Sequence, residues 1–230
     1  MKRSRETGAC GDTLRNLADA IARKERPPFV VALIDPPWSF SFPTIGTPPY
    51  DTMTLEEIAN VPVDRLMRKK DAVIFLWTAA PHLPVALDIM RKWGFCYRSY
   101  MYWRKTSRED PTRTILGLGY WVRSSSELLL IGRRANTTLK QMQMHREMRQ
   151  EIEAPRGRHS AKPFAFREAI AGYIRCTSDE RIELFARDPD PAWTSWGLEL
   201  DGYLILPAPE KPVALSSEDR SHSPVASPEH

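Results

Sequence analysis

The run Phe29–Trp38, FVVALIDPPW, decides the fold. Its first six residues are apolar and half of them are β-branched. They lack the alternation of a strand with one wet face, so they read as a strand buried on both sides. Asp35 closes the run. Pro36 and Pro37 forbid its continuation, because proline brings no N–H to a ladder. Strands buried on both faces belong to parallel sheets covered by helices, and such sheets bind ligands beyond the carboxyl ends of their strands. Asp35 therefore stands where a site is expected.

Outward from this strand, apolar runs alternate with helical periodicity. AVIFLW (72–77), YRSYMYWRK (97–105), ELLLIG (127–132) and RIELFA (181–186) read as further strands. Leu14, Leu17, Ala18 and Ile21 share a helix face from Thr13 to about Arg23. Thr54 and Glu57 have the spacing of a capping box at a helix start. Leu83, Ala86, Leu87, Met90 and Trp93 form another helical stripe, with Gly94 at the expected stop. Pro163 suits the first turn of a helix carrying Phe166, Ile170, Tyr173 and Ile174. The alternation predicts an α/β domain over residues 13–206 with a largely parallel sheet flanked by helices. Residues 1–12 read as a flexible N-terminus, and 39–51, rich in Ser, Pro and Gly, as a long loop. Residues 133–158 read as a long polar insertion without periodicity. Residues 207–230 carry five prolines and excess acid, the composition of a disordered tail.

The 230 residues carry a net charge of +4, with 42% hydrophobic and 27% charged residues, ordinary for a globular chain. No apolar run approaches the roughly 18 residues of a membrane span. The charged N-terminus has no apolar stretch behind it and does not read as a secretory signal. Cys10, Cys96 and Cys176 are odd in number and far apart, which fits neither a disulfide framework nor a metal cluster and suits a reducing cytosol. Charge is concentrated between Arg98 and Arg158, where 13 Lys/Arg face 6 Asp/Glu, an excess of +7. That stretch is either a phosphate-binding surface or a solvated basic face.

Asp35 supplies a carboxylate acceptor, Pro36 a carbonyl, and the two prolines hold both stiffly. Trp38 adds an aromatic face. Together they suit a flat group carrying an NH2, such as the exocyclic amine of adenine or cytosine. Two acceptors on its N–H bonds favour a pyramidal nitrogen with a localised lone pair and stabilise the charge that develops as it attacks a methyl donor. A duplex base must also leave the stack to be reached. The structural alternative is an Asp that caps the next turn and a Trp in the core.

Seven blocks occur in order: DPPW (35–38), YDTMTLEEI (50–58), DAVIFLWTAAPHLPVALDIMRKWGF (71–95), GLGYWVRSSSELLLIG (117–132), IEAPRGRHSAKP (152–163), ELFAR (183–187) and WTSWGLE (193–199). In this order they resemble the MT-A70 family of S-adenosylmethionine-dependent adenine N6-methyltransferases, over about Val30–Gly202. The short chain is more similar to the bacterial and phage DNA-modifying members than to the eukaryotic mRNA-modifying ones. The resemblance implies a Rossmann-like methyltransferase fold with a permuted motif order, the catalytic motif preceding the cofactor segment. No G-x-G-x-x-G follows the first strand, which agrees with that order.

The resemblance also implies roles. Asp35 and Pro36 hold the target amino group, within the catalytic set Asp35, Pro36, Pro37 and Trp38, and Asp35 lies near the donor's amino end. Lys162 pairs with the donor's carboxylate; a cation beside a helix start is otherwise disfavoured. His159 and Ser160 shape the same turn, His159 as a hydrogen-bonding support. Glu183 and Arg187 bracket a strand, Arg187 contacting either the ribose or a neighbouring acid. Trp196 and Gly197 bring backbone close to the donor. Leu198 stands where the family commonly has Asn, so the ribose contact is either missing or supplied by Glu199. Tyr120, Arg123 and Glu127 line the route of the target strand, or Tyr120 and Trp121 pack inward; Arg146 and Arg149 lie in the basic stretch. The implied activity is methyl transfer to adenine N6 in DNA, in the cytoplasm of a bacterium or phage-infected host. An RNA substrate, a non-catalytic nucleic-acid-binding subunit, and a homo- or heterodimer are the alternatives left open.

Overall fold

A computed structural model describes residues 2–39, 51–117, 121–137, 148–157 and 161–207. The expected tail from 207 lies almost wholly outside them. The strands are β1 (Val31–Ile34), β2 (Val73–Thr78), β3 (Cys96–Thr106), β4 (Ser126–Arg133), β5 (Glu151–Pro155), β6 (Arg181–Leu184), β7 (Thr194–Trp196) and β8 (Leu204–Ile205). They form one sheet in the order β5-β3-β4-β2-β1-β6-β7-β8. β1 is central and pairs in parallel with β2 and β6, Ile34 standing opposite Leu76 and Leu184. β6 and β7 are parallel, as are β3 and β5, while β4 and β8 run against their neighbours. The sheet is thus mixed but mostly of one direction.

All four residues of β1 and all six of β2 are buried, the pattern their unbroken apolarity predicts. Ala32, Ile34, Ile74 and Leu76 face one core, and Val31, Leu33, Val73, Phe75 and Trp77 face the other. The first core is covered by α1 (Lys2–Ala22), α2 (Leu55–Ala59), α3 (Val63–Leu66) and α4 (Leu83–Lys92). The second is covered by α5 (Phe164–Tyr173) through Phe166 and Ile170.

The local signals explain several boundaries. Thr54 and Glu57 form the capping box of α2 reciprocally, Glu57 N donating to Thr54 Oγ1 at 3.2 Å and Thr54 N to Glu57 Oε2 at 2.7 Å. Gly94 ends α4 with φ +81°, which glycine adopts without strain. Pro163 caps α5 in an extended conformation rather than sitting inside its first turn. Other boundaries differ from the sequence reading. α1 begins at Lys2, not Thr13. Cys10, in the stretch expected to be loose, is 4% exposed and its carbonyl accepts the Trp196 indole N–H at 3.0 Å. The expected insertion 133–158 contains β5, which pairs with β3 from Tyr102 to Thr106. Its charged alternation hid it, since Glu151 and Glu153 are taken up by Arg104.

Candidate active site

The carboxyl ends of β1, β2 and β6 meet the start of β4 at one edge of the sheet. There Asp35, Pro36, Pro37, Trp38, Trp77, Thr78, Ala79, Glu127, Lys162 and Arg187 line one pocket. β1 leads to β2 on one side and receives β6 on the other, so the pocket sits where the strand order reverses, the usual ligand crevice of an open α/β sheet.

The motif after β1 folds as a braced turn. Asp35 N donates to Leu184 O at 3.3 Å, Trp38 N to Pro36 O at 2.8 Å and Met53 N to Pro37 O at 2.9 Å. A carbonyl has two lone pairs, so Pro36 keeps one acceptor position. Trp38 is 5% exposed, donates its indole N–H to Trp77 O at 3.0 Å, and stacks on His82 with centroids 5.4 Å apart. His82 Nε2 lies 3.0 Å from Ser39 O. Trp38 is thus largely core and anchors the loop, while still contributing to the pocket lining.

The charges are interlocked. Lys162 Nζ contacts Asp35 Oδ1 at 2.8 Å and Oδ2 at 2.9 Å, and reaches Glu127 Oε2 at 3.4 Å. Glu127 Oε1 accepts from Lys105 Nζ at 2.6 Å. Lys162 also lies 5.5 Å above the Trp77 ring. Burial alone would lower the Lys162 ammonium, but Asp35 and Glu127 outweigh it and raise it above the usual lysine range. Burial pushes the Asp35 carboxyl up, with Lys162 opposing. Glu127 is pushed up by burial too, yet Lys162 and Lys105 hold it below the ordinary glutamate range. These carboxylates offset the penalty of a cation beside the start of α5.

The remaining expected residues divide. Arg187 lines the pocket and lies 3.6 Å from Glu199 at its rim. Glu183 instead faces α5, buried in a bidentate pair with Arg167 at 2.6 and 2.7 Å. Burial pushes its carboxyl up to about 7 against the pull of Arg167. Trp196 is 6% exposed and packs edge-on against Phe185 on the α1 side, away from the pocket. At Gly197 a Cβ would lie 1.9 Å from Ala186 O, so close backbone packing against the end of β6 requires the glycine. Arg123 bonds back to the Gly117 and Leu116 carbonyls. Arg149 is exposed just before β5, at the end of that strand remote from the pocket. Tyr120, Arg146, His159 and Ser160 lie outside the described residues.

Sequence reasoning missed Lys105, Trp77, Thr78 and His82 as site builders, and took Glu127 for a substrate-strand contact rather than the second carboxylate on Lys162. The signal for Glu127 was available: an acid opening the apolar run ELLLIG stands at the same sheet edge as Asp35 once that strand is antiparallel.

The sheet and its switch-point pocket define an α/β enzyme-like domain with a carboxylate–ammonium pair at its centre. The MT-A70 family matches residues 29–199, and the chain belongs to that family of adenine methyltransferases. It is 28% identical over 159 residues to the type II methyltransferase M.MunI of a Mycoplasma species, covering 69% of this chain and 63% of that one. It is also 28% identical over 183 residues to an N(6)-adenosine-methyltransferase MT-A70-like protein of Drosophila melanogaster, covering 77% of this chain and 28% of that one. The chain thus spans less than two thirds of the length of either relative. No described helix is long and apolar enough to cross a membrane.

Proposed function

We propose that this chain transfers a methyl group from S-adenosylmethionine to N6 of adenine in DNA. The observation that carries the reading is the Lys162–Asp35 pair at the carboxyl edge. One ammonium beside one carboxylate complements the zwitterionic amino-acid end of the donor, and charge-assisted bonds of this kind are the strong ones. Lys162 would hold the donor's carboxylate, and Asp35 its amine. Bound there, the donor would supply an electrophilic methyl: the N6 lone pair forms the new C–N bond, the S–C bond breaks to leave S-adenosylhomocysteine, and one amino proton is released to solvent. Asp35 accepts from one N–H of the amine, and the remaining lone pair of the Pro36 carbonyl from the other. Both acceptors are fixed before reaction, so they strengthen as positive charge grows on nitrogen without reorganisation cost. Glu127 and Lys105 keep Lys162 in register.

The DNA reading over RNA rests on likeness to the type II methyltransferase; the +7 excess of 98–158 suits the phosphates of either nucleic acid. Expression in a host lacking adenine methylation, with modified bases mapped in its DNA and RNA, tests it. N6-methyladenine at a recurring DNA sequence is expected; methyl groups in RNA alone would reverse the substrate assignment.

A further inference from the structure

β3 and β4 are joined at the pocket's edge by an excursion whose described residues close two successive turns. Ser107 N donates to Arg113 O at 2.9 Å, Ile115 N to Lys105 O at 2.8 Å and Gly117 N to Ser124 O at 2.6 Å. Arg104 Nη1 pins the first turn through Thr114 Oγ1 at 2.8 Å. The later turn, closed by Gly117 and Ser124, carries Trp121, 92% exposed, and Val122, 77% exposed. The inward-packed alternative for Trp121 is thereby excluded. An indole so exposed forfeits the burial that normally places tryptophan, and apolar groups clustered in this way mark a contact surface.

Three features specify the contact. Trp121 is six residues from Glu127 in the pocket wall, so its Cα lies within about 20 Å of that wall, less than one turn of duplex at roughly 34 Å. Second, its chain neighbour Arg123 is exposed, and the excursion as a whole carries Arg108, Arg113 and Arg123 against Glu109 and Asp110, a small positive excess that suits phosphates. Third, the pocket's own tryptophan is committed. Trp38 is held by Trp77 O and His82, so it cannot replace a base in the stack. An enzyme that extrudes a base pays unstacking and unpairing energy, and exposed apolar side chains offset it by entering the stack.

We propose that Trp121, supported by Val122, is a wedge that enters the duplex where the target adenine leaves and stacks on the bases left behind. This rests on the DNA methyltransferase reading above. It makes Trp121 a substrate-positioning residue, with no part in donor binding.

The test compares wild type, Trp121→Ala and Trp121→Phe in single-turnover methylation of two short duplexes carrying the mapped site. One is fully paired. The other has an abasic position opposite the target adenine, so the base is already unpaired and no orphan base remains to be stacked. Trp121→Ala should lose about 10- to 100-fold on the paired duplex, the effect of one aromatic–base stack, and less than about 3-fold on the abasic one. Trp121→Phe should retain most activity, and S-adenosylhomocysteine affinity by calorimetry should not change. Equal losses on both duplexes, or no loss on the paired one, overturns the wedge. So does a wild-type dimer that Trp121→Ala converts to a monomer with matched losses, which would assign the patch to a second copy. Failure of the parent reading looks different: wild type then methylates neither duplex, and both proposals fall.

Discussion

Lys162→Met gives the sharpest check on the charge network, because it needs no substrate. The variant keeps the apolar stem over Trp77 and removes the ammonium that contacts both oxygens of Asp35. Breaking a fully buried pair by deleting one partner costs about 3–5 kcal/mol. Here the side chains of Lys162 and Asp35 are 17% and 21% exposed, so water relieves part of that penalty and a loss of about 2 kcal/mol is expected. Glu127 contributes little to the loss, since Lys105 remains 2.6 Å away. Burial already pushes Asp35 up while Lys162 holds it back; without Lys162 the folded-state value rises further above the unfolded one. Between those two values the folded variant binds more protons than the unfolded chain, so its stability falls as pH rises through the folded value and recovers as pH drops toward the unfolded one. Urea unfolding from pH 8 down to pH 5 should therefore show the deficit of Lys162→Met shrinking. Asp35→Asn/Lys162→Met should show no such recovery, and should be less destabilised than the sum of its singles by about 1 kcal/mol or more. A pH-independent deficit with additive losses would mean that the contact carries no energy, and the electrostatic account of the pocket would be withdrawn.

Asp35→Ala should lower methyl transfer at least about 100-fold, the usual effect of losing one preorganised transition-state partner, with little change in DNA affinity by fluorescence anisotropy; near-normal transfer would sink the mechanism. Trp38→Ala should lose about 3–5 kcal/mol of stability in urea, because its side chain is core and anchors the turn; an unchanged melt with weakened DNA binding would restore it as a base platform. Since Lys162 occupies both oxygens of Asp35, S-adenosylhomocysteine should strengthen binding of an end-labelled duplex carrying the target adenine, read by fluorescence anisotropy, whereas adenosine, which has no amino-acid end, should not. Equal enhancement by adenosine would show that the amino-acid end does not release Asp35.

The central strands were legible because burial on both faces leaves an unbroken apolar run, which the register of β1 with β2 and β6 explains. The α2 cap and the Gly94 stop were legible because each is a local backbone problem with a single chemical solution. β5, β7 and β8 were not. β5 is short, lies at the sheet edge and is charged, so nothing in its own residues separates it from a loop. β8 has only two residues. In the site, Asp35 and Lys162 could be paired through resemblance, although 127 residues separate them. Glu127 and Lys105 required knowing that β4 runs against its neighbours, which brings its first residues to the same edge as the last residues of β1. Trp38 left two readings open for a related reason: the residues alone do not choose between an aromatic face and a core side chain, and only His82 from the next crossover shows how far the ring is covered.

The two prolines can now be assigned a purpose beyond ending a strand. In the proposed reaction Asp35 serves two partners, the donor's amine and the target amine, while Lys162 contacts both of its oxygens. A flexible carboxylate in that position would follow the lysine and lose its aim whenever the contact is exchanged. The chain prevents this from the backbone side. Asp35 N is tied to Leu184 O, Pro36 O to Trp38 N and Pro37 O to Met53 N, while φ at 36 and 37 is fixed by the rings. Trp38, clamped by Trp77 O and His82, locks the far end of the same turn. The member of the pair whose backbone is braced is the acceptor, while Lys162 reaches it on a longer stem over the Trp77 ring. Preorganisation of that acceptor is what makes its bond worth more in the transition state than in the ground state. The same rigidity explains why a side chain of the core, rather than a surface aromatic, follows the motif.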